Sequence, residues 1–171
     1  MRAVPSVPPE PTSDDAVTAS QPPARFIDGY LAYLLAQASS RISREFHLEV
    51  EAAGLSVTEW RVLASLFGSD GERIGALAQR ALTKQPTLSK VVQRMEADGL
   101  VERNGARKDR RHTVVRLTRN GRRVAEALCE RALRHQRAVL EPFGHDSAAL
   151  LIGMLKELIA LHPPSAPFDG E

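Results

Sequence analysis

Six side chains between positions 85 and 94 carry the chemistry of reading base edges in a duplex. Gln85 and Gln93 can offer paired donor and acceptor atoms to adenine, Lys90 and Arg94 reach guanine or phosphate, and Thr87 and Ser89 take either role. Gln85, Ser89 and Gln93 recur at steps of four, and Thr87, Lys90 and Arg94 at three and four, so a helix gathers them opposite Leu88, Val91, Val92 and Met95. A second cluster follows at 107–111, where Arg107, Lys108, Arg110 and Arg111 surround the single acid Asp109. At a hairpin tip such an arm inserts Arg into a narrow minor groove, where the negative potential is enhanced. Asp109 is expected to pair with Arg111 and shape the arm, an exposed contact worth about 0–1 kcal/mol. A solvated surface face and a solvated charged loop use the same residue types, so each cluster alone leaves that reading open.

The elements around these clusters are legible from periodicity and punctuation. Ile27, Leu31, Leu34, Leu35, Ala38, Ile42, Phe46 and Val50 mark a long amphipathic helix that breaks near Gly54. Ser56, with Glu59 three residues on, forms a capping box for a second helix with Trp60, Val62, Leu63, Leu66 and Phe67 on its buried side. After the Gly68-Ser69-Asp70-Gly71 turn, Ile74, Leu77, Ala78 and Ala81 predict a short third helix. Thr83 is expected to cap the fourth, whose first turn tolerates Pro86 and whose end is set by Gly99. Residues 100–103 and 112–117 read as two short strands joined by the 104–111 loop. Thr118 then caps a long helix ending near Pro142-Phe143-Gly144, and a last helix occupies about 147–161. Helix, turn, helix and β-arm is the winged helix-turn-helix plan, here mainly α with a small β-hairpin wing in the order α-α-α-α-β-β-α-α.

Charge is distributed as that plan requires. The net charge is only +2, but residues 72–123 hold 14 Lys and Arg against 5 acids, a balance of +9, while the remainder carries −7. A concentrated basic region implies a polyanionic partner, and charge alone fits RNA or an anionic membrane as well as DNA. Six of the 11 prolines lie in the first 23 residues, a composition that does not order itself alone. The lone Cys129 excludes an intramolecular disulfide and fits a reducing compartment, and no stretch has the roughly 20 apolar residues of a membrane span. A soluble, cytoplasmic protein without a membrane partner is expected. His47, His112, His135, His145 and His162 show no tight metal spacing, and neither a metal nor a cofactor is expected.

Three stretches carry a family resemblance. Leu55-Ser56-Val57-Thr58-Glu59-Trp60-Arg61-Val62-Leu63, the run Leu88 to Arg103, and the wing pattern Asp109-x-Arg111-x-x-x-Val115-x-Leu117-Thr118 together resemble the MarR family of bacterial transcription regulators, over roughly 25–162. The resemblance implies an obligate homodimer in which the first helix and the last two interlace. Two recognition helices would then sit roughly 34–36 Å apart over a pseudo-palindromic duplex operator. It therefore assigns 24–54 and 119–162 to a helical dimerisation region and 55–118 to the winged helix-turn-helix DNA-binding domain, with 1–23 a disordered Pro-rich tail and 163–171 a C-terminal tail. DNA contacts are expected from Lys84, Gln85, Pro86, Thr87, Ser89, Lys90, Gln93, Arg94, Arg107, Lys108, Asp109, Arg110 and Arg111. Pro86 departs from the small polar residue often found there, so any base contact it makes is apolar.

Many members are repressors released by a small phenolic or aromatic acid. Tyr30, Tyr33, Arg41, Arg44, His47, Trp60 and Arg61 are the candidates for such an effector site, with Arg or His pairing a carboxylate and Trp or Tyr covering the ring. Core packing for Trp60 and surface ion pairs for the arginines are the plainer alternatives. Cys129 offers a thiol-redox sensor as a different regulatory chemistry, although it sits by Ala125 and Ala132 on an apolar side, where thiols are usually inert. A winged-helix module binding an acidic protein partner is the competing function. An enzyme is not expected, because no phosphate-binding Gly loop, nucleophile-base pair or carboxylate pair stands in a recognisable motif.

Overall fold

The structure, a computed structural model, describes residues 25–104 and 113–163. The chain divides into two compact units between Ser39 and Ser40. In the first unit a 3-10 turn, Phe26–Asp28, precedes the start of helix α1, Leu31–Ala52. The Phe26 ring stacks on Tyr30 with centroids 5.1 Å apart. Gln37 donates from Nε2 to the Tyr33 hydroxyl at 3.3 Å. The expected helical start at Ile27 is thus a turn, closed by the N–H groups of Gly29 and Tyr30 on the carbonyls of Phe26 and Ile27.

The second unit continues α1 and adds α2 (Val57–Leu66), β1 (Glu72–Arg73), α3 (Ile74–Arg80), α4 (Gln85–Ala97), β2 (Val101–Asn104), β3 (Val114–Leu117), α5 (Arg119–Leu140) and α6 (Gly144–Leu161). A 3-10 turn at Glu141–Phe143 separates the last two helices. The strands form one antiparallel sheet in the order β1-β3-β2, with Val101 opposite Leu117, Arg103 opposite Val115 and Glu72 also opposite Val115. β1 is an addition to the expected hairpin, since two residues are too short to display an alternating pattern.

Val62, Leu63, Leu66, Ile74, Leu77, Leu88, Val92, Met95, Leu100, Val101, Val115 and Ala125 form one buried core that joins α2, α3, α4, the sheet and α5. Burying each large aliphatic side chain contributes about 1.5–3 kcal/mol, so this core fixes the pose of α4. The predicted capping box is present: Ser56 Oγ accepts from the Glu59 N–H at 3.3 Å, and Glu59 Oε2 accepts from the Ser56 N–H at 2.7 Å. Phe67, expected on the buried side of α2, instead follows the helix as its C-cap and is exposed.

α4 ends in a Schellman turn. Gly99 adopts φ 68°, its N–H reaches the Glu96 carbonyl at 3.0 Å, and the Leu100 N–H reaches that of Met95 at 2.9 Å. The sharp reversal delivers Leu100 to the start of α5. There Thr118 caps the helix by accepting from the Gly121 N–H at 2.9 Å, and its hydroxyl lies 2.6 Å from the Gly99 carbonyl. The Thr118 N–H also bonds the Leu100 carbonyl at 3.1 Å. Gly121 is required by this approach, because a Cβ there would lie 1.8 Å from the Leu100 carbonyl oxygen.

Further boundaries differ from the sequence reading: the strands run Val101–Asn104 and Val114–Leu117 against the expected 100–103 and 112–117. The N-cap of α4 is Lys84, with no side-chain cap, in place of Thr83: Leu82 takes φ 53°, and the Thr83 N–H is already spent on the Ala78 carbonyl at 3.0 Å. α6 begins at Gly144, earlier than the expected 147. The proposed tails, apart from Pro163, and most of the 104–111 loop lie outside the described residues.

Candidate nucleic-acid interface

The packing of α4 divides its polar side chains into a centre and two flanks. Leu88, Val92 and Met95 point inward, which turns Pro86, Lys90 and Gln93 toward solvent, all three exposed. Gln85 and Thr87 are also exposed at the helix start. Gln85 and Pro86 occupy the first two helical positions, where the proline ring's missing N–H goes unmissed. Lys84 contributes no side-chain cap, and the start of the helix carries the partial positive charge of the macrodipole, a setting that favours an anion. Ser89 is half-buried and donates its hydroxyl to the Gln85 carbonyl at 2.9 Å, a bond within the helix.

Each flank is held by a carboxylate. On the α2 side Glu59, 6% exposed, accepts at Oε1 from Arg94 Nε at 3.0 Å, with Arg94 Nη2 at 2.9 Å. Its other oxygen accepts from the Ser56 N–H and hydroxyl, each at 2.7 Å. Burial alone would push the Glu59 pKa up, but the Ser56 N–H, the Ser56 hydroxyl and Arg94 outweigh it and hold the carboxyl below its usual value. On the wing side Glu96 accepts from Arg103 Nε at 2.8 Å, from Arg103 Nη2, and from the Arg103 N–H at 3.2 Å. These bonds lower the Glu96 pKa, with burial opposing. A third strut ties the sheet to the turn before it, Arg116 Nε donating to the Asp70 carbonyl at 2.6 Å. The arrangement presents a polar helix at a fixed angle to a basic wing base, which is what insertion into a groove requires.

Of the expected DNA contacts, the structure therefore brings Gln85, Pro86, Thr87, Lys90 and Gln93 onto one exposed face and engages Arg94 with Glu59 and Ser89 with the backbone. Arg107, Lys108, Asp109, Arg110 and Arg111 lie outside the described residues. Glu59 and Glu96 were absent from the expected site. The capping-box pattern marks Glu59 in the sequence, but its pairing across 35 positions leaves no local signal.

The effector candidates are spread more widely. Tyr30 and Tyr33 belong to the first unit. In the second, Arg41 and Arg44 are exposed and His47 half-buried. Trp60 meets Phe46 edge-on at 5.2 Å, and Phe46 lies 5.8 Å from the His135 ring, whose Nε2 is 3.2 Å from Glu45 Oε2. Phe46 and His135 thus join Trp60 in a cluster that sequence spacing did not reveal, since its parts come from α1, α2 and α5. Arg61 reaches the Ala81 carbonyl, Nη1 to oxygen 3.5 Å. A cavity of about 660 Å³ between α5 and α6 is lined by Arg137, Leu140, His145, Ile152 and Lys156 among others, and by none of the seven candidates. Cys129 is half-buried and its thiol pKa is pushed up by burial, the opposite of an activated thiolate. Among the described residues no cluster of three or more His, Cys, Asp or Glu is arranged for a metal, and no helix is long and apolar enough to cross a membrane.

The family model described as MarR family matches residues 53–112, from the last residues before α2 through α4 and β2. The MarR family transcriptional regulator SPO1453 from Silicibacter pomeroyi DSS-3 superposes with a TM-score of 0.72 at 40% identity, over 80% of this chain and 98% of that one. NadR in complex with 4-hydroxyphenylacetate superposes with a TM-score of 0.69 at 26% identity, over 77% and 96%. The homoprotocatechuate degradative operon repressor of Escherichia coli is 31% identical over 134 residues, 77% of this chain and 88% of the relative. Another curated relative, 32% identical, is spanned over 61% of its length. With a winged lobe that superposes on solved members and a sequence alike over nearly their whole length, the chain belongs to the MarR family of DNA-binding transcription regulators, which are not enzymes.

Proposed function

We propose that the protein is a homodimeric, sequence-specific regulator that represses by occupying a pseudo-palindromic operator and is released by a small aromatic or phenolic acid. The observation that carries the DNA part is the exposed face of Gln85, Pro86, Thr87, Lys90 and Gln93 on a helix braced on both flanks. Lys90 and the glutamines read base edges, Lys84 and the positive end of α4 bind phosphate, and Arg107, Lys108, Arg110 and Arg111 follow the minor groove with Asp109 shaping the arm. The dimer part rests on α6, an 18-residue helix with no buried residue, whose Leu150, Met154, Ile159 and Leu161 are 60–75% exposed. A patch of that kind is costly to leave in water, and a second copy related by a two-fold axis covers it.

The effector reading draws on NadR, which binds 4-hydroxyphenylacetate, and on a relative that represses an operon for degrading homoprotocatechuate. In the second unit Arg41, Arg44 and His47 supply cations for a carboxylate, and Trp60 supplies a ring face near Arg61. A ligand lowers operator affinity only by its preference for the geometry that DNA does not bind, about 2.7 kcal/mol for a hundredfold release.

Fluorescence anisotropy with the protein's own upstream intergenic duplex, at two salt concentrations and with a panel of aromatic carboxylates, tests the reading. The expected result is tight binding that weakens with salt by a slope of about −0.9 per phosphate contact and is released by one acid. No preference over a scrambled duplex, repeated with genome-selected fragments, would refute it and favour a protein-binding module.

A further inference from the structure

We infer that Glu59, which lies in α2 and belongs to no DNA-contacting face, is a positioning residue that sets base preference by orienting Arg94. The inference rests on the operator reading above. A guanidinium has five N–H donors in a rigid plane, and two nitrogens of Arg94, Nε and Nη2, converge on one oxygen of Glu59. That engagement fixes the plane of the group and removes its Nε edge from use. The side chain is nevertheless 60% exposed, and the Nη1 end of the fork is the part that Glu59 does not engage. Two parallel N–H donors from the ends of a guanidinium match the O6 and N7 acceptors of guanine in the major groove. The ligand class assigned to Arg94 is therefore a guanine presented end-on.

Glu59 is itself immobilised, which distinguishes this pair from an ordinary surface contact. Its second oxygen takes both the N–H and the hydroxyl of Ser56, and the side chain is almost fully buried between α2 and α4. Neither carboxylate oxygen lacks a partner, so the group cannot swing to follow Arg94. Arg94 must adapt to Glu59. Exposed Arg side chains otherwise carry rotamer entropy that DNA binding must overcome, and a fixed plane removes part of that cost in advance.

The test compares wild type with R94A, R94K, E59Q and the E59Q/R94A double variant by selection from a randomised duplex library, with thermal melting alongside. Gln also satisfies a capping box, so E59Q retains the α2 start while losing the charge that anchors Arg94. R94A should lose roughly 5- to 150-fold discrimination at one guanine per half-site, the usual range for a bidentate pair. E59Q should lose discrimination chiefly at that same position, and the double variant should match R94A there. R94K keeps a cation beside Glu59 but cannot form the fork. It should melt like wild type and still read the position poorly, and an unchanged preference in R94K would overturn the inference even if E59Q does not fold. Preference unchanged in R94A, in R94K or in E59Q overturns the inference while leaving operator binding intact. No preference in wild type defeats the operator reading and the inference with it.

Discussion

Replacing Gly121 with Ala perturbs the junction on which the whole winged lobe hangs. A Cβ at this position would stand 1.8 Å from the Leu100 carbonyl oxygen, 2.8 Å from its carbon and 3.2 Å from its Cα. Side-chain Cβ atoms essentially never approach closer than 3.0 Å, so α5 and the Leu100 segment must part by about 1.2 Å or more. Such a shift breaks the Thr118 N–H bond to Leu100, now 3.1 Å, and lengthens the hydroxyl contacts to Gly99 and Leu100. The lost N–H bond and the weakened hydroxyl contacts together cost about 2 kcal/mol, and repacking of the core around Ala125 adds about 1–3 kcal/mol. Removing a helix glycine returns about 1 kcal/mol. The net expectation is a loss of about 2–4 kcal/mol, seen as a midpoint shift with unchanged slope in guanidinium denaturation at fixed protein concentration. Gly153→Ala is the control, since nothing lies within 4 Å of its Cβ and the helix gain should stand alone. A Gly121→Ala variant within about 0.5 kcal/mol of wild type would refute the reasoning, because surface substitutions show that range.

Acid should destabilise the fold through Glu59 and Glu96. Both have folded-state pKa values below 4.5, so the stability they add is complete above that value and is lost as the pH falls through the folded values. Unfolding midpoints measured from pH 7 to pH 3 should fall less steeply for Glu59→Gln than for wild type, and equal slopes would contradict the assignment. If the proposed dimer forms through α6, Met154→Asp combined with Ile159→Asp should convert it to monomers in sedimentation velocity; an unchanged sedimentation coefficient would refute that interface. Cys129 should react with iodoacetamide at pH 7 more slowly than free cysteine, and a faster rate would revive oxidant sensing.

Much of this architecture could be read along the chain because its determinants are local. Ser56 with Glu59, Gly99, and Thr118 each act within four residues of themselves, and each stands where its pattern indicated. Failures of the reading arise where a contact spans the chain or where a backbone dihedral departs from the residue's habit. Thr83 lost the cap of α4 because Leu82 enters the left-handed region, which no pattern around a leucine announces. β1 exists only as pairing with β3, across some forty residues. At the candidate site, the exposed face of α4 followed from helical periodicity, whereas the Glu59 grip on Arg94 and the meeting of Trp60, Phe46 and His135 depend on tertiary packing.

The seating of α5 against Leu100 makes that helix a lever with its fulcrum at Gly121. Its 22 residues extend about 33 Å at 1.5 Å per residue, and the fulcrum lies within the first turn. A displacement of about 3 Å at the far end, where α5 leads into α6, corresponds to only about 5° of tilt at the fulcrum. The Schellman turn joins that fulcrum directly to the last turn of α4. A tilt of α5 about that point would therefore reach the last turn of α4 as a rotation of only a few degrees. Changing the length of α5 by one turn would alter the ratio of displacement to tilt without touching a single residue of α4.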